Sequence, residues 1–149
     1  MALQPFKKRR FAISIGTRVW VNLNDMDLGP LNTGMFQGCH AIGTIAKYVD
    51  KMTYGVLLDH PCFKEMGVIH ADYWRIQYLD HVYPYIKSDQ VKAHLPVVVM
   101  ESHESLWWNA YIVSDELDSD NTIVIEWEIS YEPHYDQDIV PLERIRLRV

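Results

Sequence analysis

Hydrophobic and polar positions in the second half of the chain alternate over short runs. Val97-Val98-Val99-Met100, Trp107-Trp108-Asn109-Ala110-Tyr111-Ile112-Val113, Thr122-Ile123-Val124-Ile125-Glu126-Trp127 and Ile139-Val140-Pro141-Leu142-Glu143-Arg144-Ile145-Arg146 are rich in β-branched and aromatic residues. Polar segments separate them, so the pattern predicts a meander of antiparallel strands. If residues 114–121 form a hairpin loop, pairing Val113 with Thr122 sets Trp108 opposite Trp127. Trp108, Ala110 and Ile112 then share an apolar face with Ile123, Ile125 and Trp127, while Asn109, Tyr111, Glu126 and Glu128 face away, as a half-wet sheet requires. A one-residue slip would mix the two sets. Two indoles are therefore expected side by side at the open end of the hairpin, with Tyr131 and Tyr135 in the segment that follows.

The first half repeats this order of strand, long loop, hairpin, loop and closing strand. Ile15-Gly16-Thr17-Arg18-Val19-Trp20-Val21 reads as its first strand, residues 22–38 as a Gly/Pro/Asn-rich loop, and residues 40–48 and 54–59 as a hairpin turning at residues 50–53. Residues 68–76 close the unit. The two halves are expected to be tandem copies of one architecture, with a basic tail at residues 1–12, a first unit at 13–80, a linker at 81–96 and a second unit at 97–149. A barrel of about 60 residues is marginal alone, so the units are expected to pack on each other. Trp20, Tyr48, Tyr73 and Trp74 are expected to serve that packing or the core. The linker contains Tyr83-Pro84-Tyr85, and a helical turn capped by Ser88 would fit it.

Charge adds a chemical direction. Residues 97–140 hold 11 acidic side chains and no Lys or Arg. Aromatic faces in such surroundings favour a cationic ligand, because the ring quadrupole attracts the cation while the carboxylates steer it in. Methylated lysine or arginine is a biological cation of that kind.

Residues 97–146 resemble a Tudor or Agenet repeat, most closely the second such repeat at the amino end of the fragile X family of RNA-binding proteins. The resemblance rests on Trp107-Trp108-Asn109-Ala110, on Val124-Ile125-Glu126-Trp127 and on the closing Ile139-Val140-Pro141-Leu142-Glu143-Arg144-Ile145-Arg146. It implies an all-β fold of two tandem small five-stranded Tudor-like (SH3-like) barrels, with an aromatic cage at the open rim. Carried over residue by residue, the cage would be Trp108, Trp127 and Tyr131, with Tyr135 as a substitute. The usual fourth wall falls at residues 101–103, where Glu101 and His103 stand instead. Glu101, Glu128, Glu132 and Asp136 are the expected acidic contacts. No aromatic precedes Gly43 and the third strand of the first half ends in Asp59-His60, so a second cage is not expected.

The expected function is a non-enzymatic reader of methylated lysine or arginine on a basic peptide such as a histone tail, acting in the nucleus without a cofactor. The alternative is a scaffold binding an unmodified partner segment in the groove between the barrels. Hydrophobic content of 48% with 12% aromatics is globular, and a pI near 5.6 argues against a general nucleic-acid binder. RNA contact through Lys7-Lys8-Arg9-Arg10 is a third reading, beside nuclear import or a solvated tail. No apolar run reaches 18 residues and no signal-type h-region is present, so neither a membrane span nor a secretory signal is expected. Cys39, His40, His60, Cys62 and His70 are of zinc-ligand type, but without a C-x-x-C pair they are expected to be buried thiols and ordinary histidines. Neither Gly-x-Ser-x-Gly nor a phosphate-binding glycine loop occurs.

Overall fold

A computed structural model describes residues 13–29, 36–80, 83–100, 103–129 and 136–148. Among the described residues ten strands form one antiparallel sheet: β1 Arg18–Asn22, β2 Cys39–Tyr48, β3 Thr53–Leu58, β4 Val68–Asp72, β5 Ile76–Tyr78, β6 Pro96–Met100, β7 Leu106–Ile112, β8 Thr122–Trp127, β9 Gln137–Pro141 and β10 Ile145–Leu147. Each half has the same order, β5-β1-β2-β3-β4 in the first and β10-β6-β7-β8-β9 in the second. The halves are two five-stranded barrels of one topology. Their junction is a strand pair: β2 joins β7 through Cys39 opposite Trp108, His40 opposite Trp107 and Ala41 opposite Leu106.

Each closing strand expected from the sequence is two strands. A 3-10 turn, Tyr73–Arg75, separates β4 from β5, and another, Leu142–Arg144, separates β9 from β10. The break is geometric: β4 must stay with β3, whereas β5 must reach β1 to pair Ile76 with Val21 and Tyr78 with Val19. Both turns end in Arg-Ile, with the Ile N–H bonded back to the first carbonyl of the turn and the side chain buried in its own barrel. A register shift in β2 between Ile45 and Lys47 gives that strand the local bend a small barrel needs. One element was not expected, the 3-10 turn Pro61–Met66, which His60 caps by accepting the Cys62 N–H on Nδ1 and which drives Phe63 into the core.

Alternation along the strands produces three cores. Val19, Val21, Cys39, Ala41, Ile45, Val56 and Leu106 point into the first barrel. Val97, Val99, Ala110, Ile112, Ile123, Ile125 and Ile145 point into the second. The intervening positions of the central strands, Trp20, Ile42, Val98 and Trp107, form a third cluster with Tyr83 on the face shared by the two barrels. Trp20 thus packs between barrels and Tyr73 against the first core, but Tyr48 and Trp74 are more than half exposed, contrary to expectation.

Residues 83–95 are not a free tether. Ile86 donates its N–H to Ile145 O and Leu147 donates to Pro84 O, so this segment borders β10, and Ile86 and Val91 enter the second core. The expected turn is present as a 3-10 turn, Ser88–Gln90, but Gln90 closes it rather than Ser88: its Oε1 accepts the Lys87 N–H at 2.8 Å.

Candidate functional site

The β7–β8 hairpin has the expected faces and a different register. Ala110 lies opposite Trp127, Tyr111 opposite Glu126 and Ile112 opposite Ile125, two residues away from the expected pairing of Trp108 with Trp127. A two-residue shift preserves which side chains point inward. The loop fixes it: Ser114 Oγ accepts the Val124 N–H, Val113 donates to Val124 O, and a turn over residues 118–121, with Asn121 at φ 67°, precedes Thr122. Thr122 then pairs with Pro141 of β9.

The shift separates the two indoles. Trp127 is half-buried against the second core, whereas Trp108 is half-buried against the first, with its ring stacked on Phe36 at 6.3 Å and 16°. Neither ring is sealed inside, but they do not form a single paired wall. The Trp127 backbone N–H donates to the Asp136 backbone carbonyl at 2.8 Å, which extends the β8–β9 ladder by one step. Glu101, Tyr131, Glu132 and Tyr135 lie outside the described residues.

Glu128, expected as a free acidic contact, is an internal acceptor. Its Oε2 accepts Asn109 Nδ2 at 2.9 Å, and its Oε1 accepts Tyr111 Oη at 3.1 Å and Arg148 Nη1 at 2.9 Å. Because a carboxylate only accepts, the Asn109 amide nitrogen must face it, which turns Asn109 Oδ1 toward His40 Nε2 at 2.9 Å and makes His40 the donor there. Burial alone would raise the Glu128 carboxyl, but the hydrogen bonds from Asn109 and Arg148, the guanidinium charge and the Tyr111 hydroxyl hold it below its ordinary value. Burial pushes the His40 imidazole down to about 4, against the opposing bond from Asn109. Arg148 also supplies the positive charge that residues 97–140 lack.

A second aromatic group, not anticipated as a site, lies on the inter-barrel face. Trp20 and Trp107 meet edge to face at 6.0 Å, Tyr85 approaches Trp107 at 6.1 Å and Tyr83 approaches Trp20 at 5.4 Å. The Arg146 guanidinium sits 4.0 Å from the Tyr85 ring centroid, 4.8 Å from Trp107 and 5.3 Å from Trp20. Alternation would have placed Trp20, Trp107 and Arg146 on outward faces. The missing signal was that three outward faces from different strands meet.

Cys39 is buried in the first core, where burial pushes its thiol well above the ordinary value; Cys62 and His70 are exposed. His60 and His103 meet ring to ring at 4.6 Å, and burial with the neighbouring imidazole lowers His60.

No protein-family model matches the chain and no curated protein sequence matches it. Among solved structures it is similar to the crystal structure of Arabidopsis thaliana AGDP1 AGD34, with TM-score 0.64 and 17% identity over 97% of this chain and 87% of that one. It is also similar to the crystal structure of ADCP1 tandem Agenet domain 3-4, with TM-score 0.65 and 14% identity over 99% of this chain and 88% of that one. The fold is that of a tandem Agenet domain. Since the match runs through both halves, the unit of likeness is the pair of Agenet repeats, including their junction at β2 and β7. It bears on Agenet repeats as such and does not single out the fragile X branch. At these identities the tandem Agenet fold is established, and ligand choice rests on this chain's own side chains.

Proposed function

We propose that this tandem Agenet chain is a non-enzymatic reader of methylated lysine or arginine on a basic peptide, with a nuclear histone tail as the expected source. The observation that supports the reading best is the half-buried Trp127 indole on the second barrel, within a stretch, residues 97–140, that holds 11 acidic side chains and no Lys or Arg. An aromatic face attracts the alkylammonium, and the acidic surroundings steer a basic peptide toward it. Tyr131 and Tyr135 are the proposed further walls, and Glu101 and Glu132 the proposed further acids. Trp108 belongs to the neighbouring rim with Phe36, so the cage centres on Trp127. Each ring contributes about 0.5–2 kcal/mol, which implies weak affinity.

NMR titration with methylated and unmethylated forms of one basic peptide tests this. The Trp127 indole N–H is expected to shift with the methylated form, less so at high salt because the acidic surface steers the ligand. Equal binding of both forms with no movement at Trp127 would reject the cage in favour of a scaffold that grips unmodified segments.

A further inference from the structure

Arg146 and Arg148 stand two residues apart, each over an aromatic ring and each with a buried Nε lacking a partner among the described residues, and they differ in whether a carboxylate holds the guanidinium. Arg148 has the usual structural arrangement, with its guanidinium on Glu128 and on Ala110 O. Arg146 is enclosed by the faces of Tyr85, Trp107 and Trp20 at 4.0, 4.8 and 5.3 Å. Among the described residues its side chain makes one hydrogen bond, from Nη1 to Tyr83 O at 3.2 Å, and its Nε is buried with no partner. The ion pairs found among the described residues do not include it. Ring faces attract a guanidinium without the charge pairing that a carboxylate adds.

Further signs of an unrelaxed site converge here. Trp20 Nε1 is also buried without a partner among the described residues. Tyr83 has φ 57°, in the left-handed region that a bulky side chain avoids, and its carbonyl is the acceptor for Arg146. Strain and unmet polar groups gathered at one place mark clamps and switches more often than scaffolding. Apart from the Tyr83 carbonyl, the neighbouring backbone is held without the Arg146 side chain. Arg146 is paired with Val98, and Ile86 and Leu147 tie residues 83–86 to β10 through the main chain. Rotating the side chain outward gives up one hydrogen bond and three ring contacts and opens the box beside Tyr85, which is 53% exposed.

We propose that Trp20, Trp107 and Tyr85 form an arginine-binding box between the barrels, filled in cis by Arg146 and open to a dimethylarginine side chain of a partner peptide when Arg146 swings out. Dimethylarginine is the better ligand because the box offers one carbonyl acceptor and otherwise ring faces. N-methyl groups suit the rings, and the remaining N–H groups need fewer partners than an unmodified guanidinium would. The box is separate from the Trp127 rim.

The test uses the full chain and the dimethylguanidinium ion as probe, followed through the indole N–H signals of Trp20 and Trp107. In Arg146→Ala both signals are expected to shift saturably, with apparent affinity about tenfold or more above wild type, because the cis occupant no longer competes. Tyr85→Ala in that background should weaken the response, whereas Trp127→Ala should leave it intact, which separates this site from the rim. A folded Arg146→Ala protein whose Trp20 and Trp107 signals do not move, or wild type and variant responding alike, would overturn the proposal. Should Arg146→Ala not fold, Arg146→Lys keeps a cation but loses the planar fork; it is expected to yield to the probe more readily than wild type, and no response there would also overturn it.

Discussion

Asn109 and Glu128 are joined twice, by the Glu128 N–H to Asn109 O at 3.0 Å and by Asn109 Nδ2 to Glu128 Oε2 at 2.9 Å. The Asn109 N–H meanwhile bonds to Gly38 O at 2.8 Å, across in the first barrel. One residue thus completes both ladders where β7 passes from one barrel to the other. Glu128→Ala would leave Asn109, Tyr111 and Arg148 without their shared acceptor. Since Glu128 is partly solvated, the expected loss is about 2 kcal/mol, with about half of that for Glu128→Gln. Urea denaturation should show a lower midpoint with an unchanged slope.

Acid should weaken the fold through His40. Its folded value near 4 lies below the ordinary 6.5, so the unfolded chain binds the extra proton first. The stabilisation is complete above pH 6.5 and is lost as pH falls toward 4, amounting to about 3 kcal/mol. His60, also lowered, adds in the same direction. His40→Gln should flatten the stability curve between pH 6.5 and 4, and the His40 ring protons of the wild type should titrate near pH 4 by NMR.

Trp108→Ala and Trp127→Ala should damage different barrels. Trp108 packs on Phe36 and the first core, Trp127 on the second. Each truncation should cost about 2–3 kcal/mol for a partly buried ring. Methyl NMR should show Val19, Val21 and Ile45 moving in the first variant and Ile123, Ile125 and Ile145 in the second; the same set moving in both would contradict the separation.

Gly43→Ala should destabilise through crowding. A Cβ there would stand 2.6 Å from Leu57 O, a backbone atom of the paired strand, with Leu58 and Val56 side chains at 3.0 Å. The carbonyl cannot retreat without breaking the β2–β3 ladder, so about 1–3 kcal/mol is expected, read as a fall in thermal midpoint.

Strand existence and facing were legible in the residues because side-chain period is local: a run such as Thr122-Ile123-Val124-Ile125-Glu126-Trp127 carries its inward set whatever it pairs with. The tandem order, the inward set of the hairpin and the burial of Trp20 followed from such runs. Pairing partners did not. Ser114 and Asn121 set the hairpin two residues from the expected register through interactions that leave no mark on hydrophobic alternation, and the β2–β7 pairing placed Trp108 on the first barrel while Trp127 stayed with the second. The closing strands broke at Tyr73 and Leu142 because barrel closure required it, not because those residues resist extension. The sequence by itself determined eight short runs and their alternation; the tertiary structure alone decided that the closing runs split and that the outward faces of β1, β7 and β10 meet around Arg146. Alternation is written residue by residue, whereas that meeting depends on distances between segments more than a hundred residues apart.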